Sequence, residues 1–494
     1  METEHKSFWQ LEKASTFSLL KGNIQVNTVV VGAGICGLLC AYSLYQKGIN
    51  DIAIIDANEI CSGVTAYTTA KITSQHGLIY SKLLNGLGKE RASQYFAANE
   101  KAIKHYHEII AKEQIDCDFI PCNAFIYTKS KKGLQSIENE LKAVDELNIP
   151  TIYDIKSELP FKVLASIGFK DQAHFHPLKF LFKICDILAK AGCKIYTHTK
   201  AMSAEEGIVY TDTGNIKAEN IISCSHYPFI DKSSLMFTKI FQERSYVIAL
   251  INAGSIEDMY LDEAEDGFSF RTEKNMIFIG AYDHKTGHED EKLHFENLIE
   301  DAKRLYPQGE KAYMWSAQDC MTHDSIPYIG RYTSAGENIY IATGFNKWGM
   351  TSSMAAADII SDMITKGSSD YEDVFSLNRG DINLQAKSFV KEAVDIAGNF
   401  LTHLKIATKR LESIHNNEGG IVEIEGKRVG IYKDKDGKFY AVNTVCTHMG
   451  CAIKWNKDEN TWDCTCHGSR FDYMGNVISG PAQRPLERLE IEFS

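Results

Sequence analysis

The chain has 494 residues, 44% of them hydrophobic and 24% charged, and a formal net charge of −12. At roughly 100–200 residues per domain this length predicts several domains, and an acidic balance spread along the chain disfavours nonspecific binding to nucleic acid or to an anionic membrane surface. No apolar run approaches the roughly 18 residues of a membrane span, and the polar residues 1–27 carry no export signal, so a cytoplasmic protein is expected.

Residues 26–31 (Val-Asn-Thr-Val-Val-Val) form a β-branched run that ends in glycines, followed by a helical stretch to about Lys47 and a second strand over 52–56. In this strand-turn-helix-strand unit Gly32-Ala33-Gly34-Ile35-Cys36-Gly37 opens the helix and Asp56 closes the second strand. Gly32 permits the tight turn, Gly34 lets backbone approach a pyrophosphate, Gly37 lets helix and strand pack closely, and Asp56 accepts from a ribose. A Rossmann-type α/β dinucleotide-binding domain follows, although the motif alone does not separate NAD from FAD.

The runs 221–225 and 338–343 are predicted to join the same sheet. The dinucleotide domain is therefore assembled from about 24–76, 171–235 and 321–366. Residues 77–170 and 236–320, with strands at 246–252 and 276–281, are assigned to a discontinuous α+β substrate domain. Both domains fall within residues 1–380. Over 381–415 the apolar residues Val390, Val394, Ala397, Leu401 and Leu404 recur at spacings of four and three, which predicts a connecting helix. Beyond Asn416-Asn417, short alternating strands with an Asp436-Gly437 turn predict a small all-β domain over 416–494.

Of thirteen cysteines, four crowd into residues 446–466; the others are scattered singly, as buried reduced thiols are. The loops Cys446-Thr-His448-Met-Gly-Cys451 and Cys464-Thr-Cys466-His467-Gly-Ser469 bring together thiolates and imidazoles, the ligand types of an iron-sulfur centre or of a Cys2His2 zinc site.

Over about residues 24–366 the chain resembles the D-amino-acid oxidase and glycine oxidase family of flavoproteins. The resemblance rests on the glycine-rich turn, on the run from Cys61-Ser62-Gly63 to Lys71, on Asp324-Ser-Ile-Pro-Tyr-Ile-Gly330, and on the stretch from Asn338 to Thr351. It implies FAD, held by Gly32, Ala33, Gly34, Gly37, Asp56, Ala57, Ser62, Gly63, Thr65, Thr68 and Thr69. It also implies that Gly344, Trp348, Gly349, Met350 and Thr351 close over the isoalloxazine, where backbone N–H groups stabilise negative charge. Only one GxGxxG occurs, which argues against NAD(P)H as electron donor. Lys71 lies inside the flavin-contacting stretch and is the candidate catalytic cation for the reduced flavin. Other polar candidates are His76, Gln318, Asp319 and His323. Arg244, Arg271 and Arg331 are candidates for a substrate carboxylate, and Cys320 is spaced poorly from Asp324 for covalent flavin attachment.

The last 80 or so residues resemble the Rieske 2Fe-2S domain. This implies that Cys446 and Cys464 bind one iron, His448 and His467 the other, that Cys451 and Cys466 form a disulfide, and that Ser469 hydrogen-bonds a cluster sulfur. Phe471 stands where a tyrosine is expected, and one hydrogen bond fewer lowers the reduction potential. The two resemblances together imply an FAD-dependent oxidoreductase with a small-molecule substrate. In the favoured reading it oxidises an amine or amino-acid C–N bond and passes electrons singly through the cluster to a one-electron acceptor, protein or quinone. A cluster-fed flavoprotein that reduces or hydroxylates its substrate, and a non-catalytic electron-transfer or redox-sensing protein, are the alternatives.

Overall fold

The structure, a computed structural model, describes residues 5–154, 157–230, 235–288, 293–379 and 408–491. Ile24–Val31 pairs in parallel with both Ile52–Ile55 and Asn215–Ser223; the latter pairs in parallel with Ile339–Thr343, and Lys194–Tyr196 extends the other edge. The run Ile-Ala-Ile-Ile of the second strand is buried throughout, as expected where helices cover both faces of a parallel sheet. The helices Ile35–Gln46 and Gly349–Lys366 pack on this sheet and on each other. Where the first helix meets the Asn215–Ser223 strand, the sulfurs of Cys36, Cys40 and Cys224 lie within 4.8 Å of one another.

A second sheet runs in the order Glu310–Thr322, Ile240–Ile251, Met276–Lys285, Ser269–Glu273, Met259–Asp262, Ile120–Thr128, Ala165–His174 and Lys71–Ile72. Its last strand continues directly from the Cys61–Ala70 stretch, so Lys71 stands on the seam between the two sheets. The long helix Tyr80–Glu113 is interrupted at Gly88, whose φ of 79° is left-handed. The N-terminal turn Phe8–Leu11 docks on the same seam: Trp9, fully buried, donates Nε1–H to the Thr68 carbonyl at 2.7 Å, and the Ser7 hydroxyl bonds the Ala66 carbonyl.

The C-terminal region forms a three-stranded sheet, Glu418–Ile424, Lys427–Lys433 and Phe439–Asn443, and a four-stranded one, Ile453–Asn456, Thr461–Cys464, Arg470–Asp472 and Val477–Ser479. Trp455 and Trp462 pack edge to face, 4.7 Å apart, between them. Gly419 is required by that core, since a Cβ there would meet the Trp455 ring at 2.5 Å. The turn at Asp436-Gly437 joins two antiparallel strands, with Gly437 at φ 83°.

Most of the helix expected over 381–415 lies outside the described residues. Its last part, 408–415, is extended apart from a 3-10 turn at Leu411–Ser413. The reason is local: the Lys409 N–H is taken by the Ile421 carbonyl at 2.7 Å, so the sheet edge captures this backbone. Among the described residues no helix is long and apolar enough to cross a membrane.

Candidate functional site

Three glycines shape the turn after the first strand. A Cβ on Gly37 would stand 1.8 Å from the Gly32 carbonyl oxygen, and one on Gly32, at φ 108°, would stand 2.4 Å from the Cys224 carbonyl oxygen. On Gly34 it would fall 3.0 Å from the Thr65 hydroxyl, which accepts a hydrogen bond from the Ile35 N–H at the helix N-terminus. Of the three, Gly34 alone meets a side-chain hydroxyl rather than backbone, at a positive helix end of the kind that suits a pyrophosphate. Asp56 accepts from the Ala33 and Asn58 N–H groups, both at 2.8 Å, and desolvation raises its pKa; Ala57 beside it is exposed.

The Cys61–Ala70 stretch passes below this turn. Cys61 N–H bonds the Ala33 carbonyl, Ser62 bonds the Glu59 carbonyl, and Thr68 Oγ1 accepts from Ala70 N–H. The second expected segment meets it from the other side: Thr351 Oγ1 accepts from Thr73 N–H and donates to the Thr73 carbonyl, both at 2.9 Å. Gly344 has φ 70°, and a Cβ there would be 2.3 Å from Thr322 Cγ2. Trp348, which precedes the helix beginning Gly349-Met350, stacks on His76 at 5.0 Å. The Ala33–Cys61, Ile35–Thr65 and Thr73–Thr351 contacts bring the glycine turn, the Cys61–Ala70 stretch and the Gly349 helix together, and the polar backbone and glycine turn there fit FAD.

Lys71 Nζ reaches Thr69 Oγ1 at 3.3 Å and also bonds Ser269 of the second sheet. Desolvation, with the nearby Arg271 charge, lowers its pKa to about 7. Arg271 itself bonds Glu273 at 2.9 Å and is packed between the Trp9 and Phe278 rings. His174 lies 3.8 Å from Glu273, and desolvation holds it neutral with a pKa near 2. Lys71, half-buried, and the buried Arg271–Glu273 pair, with neutral His174 beside it, form one polar cluster at the seam.

The other candidates separate. His76, neutral through desolvation with a pKa near 3, bonds the Tyr95 hydroxyl at 2.6 Å. Asp319 is raised to about 6 by desolvation. His323 stacks on Phe241, Arg331 bonds the Gly367 carbonyl, and Cys320 is buried with its thiol pushed up by desolvation. Arg244 and Gln318 face the C-terminal domain instead: Arg244 pairs with Glu459, and Gln318 Nε2 donates to the Gly468 carbonyl at 2.8 Å.

In that domain the two cysteine loops converge. The thiols of Cys446 and Cys464 are in hydrogen-bonding contact, and the His448 and His467 rings lie 5.1 Å apart. All four side chains are buried, and Cys451 and Cys466 are joined as a disulfide that ties the loops. The Ser469 hydroxyl acts on the Cys446 thiol to lower its pKa and accepts from the Ala482 N–H at 3.1 Å; Phe471 is fully buried. Two thiols and two imidazoles on tied loops are the donor set that a Rieske cluster takes.

Sequence reasoning missed what covers the imidazoles. Phe237 lies edge-on to His467 at 5.6 Å and to His448 at 6.2 Å, while Tyr227 approaches His448 at 6.5 Å. Both come from the oxidoreductase body, and neither belongs to a motif. Arg379, which makes a bidentate pair with Asp324 at 2.9 Å, was missed as well.

Residues 27–363 match the FAD dependent oxidoreductase family, and residues 406–490 match the Rieske 2Fe-2S domain. YhfW of Bacillus subtilis (strain 168), named for a Rieske 2Fe-2S iron-sulfur protein, is 35% identical over 99% of this chain and 98% of its own. The iron-sulfur subunit 1 of the cytochrome b6-f complex of Nostoc sp. is 51% identical over 47 residues, 10% of this chain and 26% of that protein. In fold, the chain is similar to L-proline dehydrogenase from P. horikoshii (TM-score 0.61, 17% identity, 73% of this chain and 100% of that one). Glycine oxidase from Geobacillus kaustophilus also has TM-score 0.61, with 15% identity over 72% of this chain and 99% of that one.

Proposed function

Because the chain belongs to the FAD dependent oxidoreductase family and carries a C-terminal Rieske 2Fe-2S domain, we propose that it oxidises a C–N bond of an amine or amino acid and delivers the electrons singly through the cluster. FAD supplies hydride acceptance with one-electron release, and the cluster supplies one-electron carriage. The observation that carries this reading is the position of His448 and His467, whose rings face Phe237 and Tyr227 of the oxidoreductase body.

In this reading Gly32, Ala33, Gly34, Gly37, Asp56 and Thr65 bind the dinucleotide, and Trp348 to Thr351 orient the flavin end. Cys446 and Cys464 hold one iron, and His448 and His467 the other. Lys71 holds a proton near Thr69 and gives the seam a positive charge that favours an anionic neighbour. Trp9 and Phe278 exclude water from the Arg271 side of the polar cluster. An amine or amino acid as substrate is supported by the L-proline dehydrogenase and glycine oxidase of similar fold.

A Cys464→Ser variant tests the order of events. It should lose iron and acid-labile sulfide, keep FAD, and still bleach its flavin anaerobically with the amine that reduces the wild type, while losing reduction of cytochrome c. Acceptor reduction that survives without the cluster would refute the reading.

A further inference from the structure

The loop that carries His467 is held by two buried glutamines from adjacent strands of the second sheet. Gln242 Nε2 donates to the His467 carbonyl at 3.0 Å, and Gln318 Nε2 donates to the Gly468 carbonyl at 2.8 Å and to Gln242 Oε1. The glutamines are 1% and 5% exposed, so these carbonyls have no access to water as an alternative. Two residues beyond Gln318 on the same strand, the Cys320 carbonyl accepts from Asn346 N–H at 3.1 Å, and Asn346 Oδ1 accepts from Thr322 N–H at 2.8 Å. Asn346 belongs to the turn Gly344–Trp348 that leads into the Gly349 helix. One strand therefore holds the cluster loop by a side chain and the flavin-covering turn by its backbone.

We propose that Gln318, with Gln242, is a positioning residue that fixes the His467 loop on the strand bonded to the flavin-covering turn, so that electrons cross between flavin and cluster in the docked arrangement, without excursion of the C-terminal domain. The proposal rests on the passage of electrons through the cluster argued above and adds its route and its geometry. Over two crossings the reduced anionic flavin would release its two electrons one at a time, each taking one ferric ion of the cluster to ferrous, and would give up its single proton to solvent. A one-electron acceptor, protein or quinone, then reoxidises the cluster, twice per substrate.

The bland role for the glutamines is to satisfy two loop carbonyls, which already makes them costly to lose. The positioning role adds a requirement on electron transfer itself. The test uses full-length protein loaded with both cofactors and photoreduced anaerobically with deazaflavin, so that no substrate need be known. Electrons placed on FAD should appear at the cluster at a rate that added glycerol does not change. Gln318→Leu should slow that step about tenfold, the factor that corresponds to one hydrogen bond of ~1.4 kcal/mol. Its FAD content and the g-values of its reduced cluster should stay those of the wild type. Gln242→Leu, should Gln318→Leu misfold, should behave likewise, and amide exchange over residues 465–470 should rise in either variant.

Absence of any flavin-to-cluster transfer in the wild type would overturn the proposed function itself. Transfer that is present but slows in proportion to viscosity, or that is unchanged in both glutamine variants, would overturn only the docked route.

Discussion

Arg244 of the second sheet and Glu459 of the C-terminal domain form an ion pair at their junction, with the guanidinium 3% and the carboxylate 13% exposed. Glu459 also meets Arg470 at 3.0 Å and bonds the Ser316 hydroxyl at 2.6 Å. The carboxylate lies between two guanidiniums, and Arg470 also meets Asp463 at 3.2 Å. Removal of Glu459 therefore leaves the buried Arg244 without a carboxylate partner, whereas removal of Arg244 leaves Glu459 paired with Arg470. Glu459→Gln should therefore destabilise the protein by about 3 kcal/mol or more, and Arg244→Met by less, as measured by chemical denaturation.

The same carboxylate sets an acid limit. Desolvation pushes the Glu459 carboxyl up, but the Arg244 and Arg470 charges outweigh it and hold its pKa at about 2, well below the usual carboxylate range. The stability it contributes is fully present above pH 4.5 and is lost as pH falls toward 2. Thermal unfolding of the wild type should fall over that window, and Glu459→Gln should flatten the fall.

Lys71 titrates in the opposite sense. Its pKa is lowered by desolvation to about 7, so between pH 7 and 10.5 the unfolded chain binds the proton that the folded chain has lost. Its destabilising contribution is largest below pH 7 and vanishes as pH rises to 10.5. Lys71→Met should raise the melting temperature at pH 7. It should also slow flavin reduction by substrate on the order of 10²-fold and remove an inflection in the pH profile at or above 7. A profile that keeps the inflection would assign it to another group.

Gly34→Ala and Gly37→Ala separate binding from folding. A Cβ on Gly34 meets only the Thr65 hydroxyl at 3.0 Å, whereas one on Gly37 meets backbone at 1.8 Å. Gly34→Ala should fold and lose FAD affinity by about tenfold or more, ~1.4 kcal/mol, measured as flavin fluorescence released on dilution. Gly37→Ala should give little folded protein.

Ser469→Ala removes a donor to the Cys446 sulfur and should lower the cluster's midpoint potential, since such bonds favour the more negative, reduced form. Phe471→Tyr should raise it if the new hydroxyl reaches a cluster sulfur. EPR-monitored redox titration reads both shifts, and a Ser469→Ala potential equal to that of the wild type would remove the serine from the cluster's surroundings.

The parts of the site legible in the sequence are those where one local constraint fixes one residue type. Gly32 and Gly37 are forced by backbone approach, and the Cys446 and Cys464 loops carry all the donors of a cluster within a short span. The strand at Val26–Val31 was equally local, because its buried end, Val29-Val30-Val31, is the apolar run that burial on both faces demands. What stayed hidden depends on pairs distant in sequence. Arg271 looked like a candidate for a substrate carboxylate, but its partner Glu273 and its cover Trp9 account for its charge inside the fold. Gln318 was read as a residue near the flavin, whereas its side chain turns to Gly468, 150 positions away. Residues 408–415 failed for a related reason: a periodic pattern cannot show that an edge strand will compete for the same backbone.

Gly287 and Gly468 face each other's domains. A Cβ on Gly468 would come within 2.8 Å of Gln242 Cβ, and one on Gly287 within 2.9 Å of the Cys464 carbonyl group. At these two glycines the bodies approach so closely that no side chain fits, while Gln242, Gln318 and the Arg244–Glu459 pair fill the junction around them. A Rieske domain taken from another protein and spliced after residue 407 would keep its own cluster yet clash at this boundary. The close fit at Gly287 and Gly468 thus ties the choice of residue in each body to the backbone of the other.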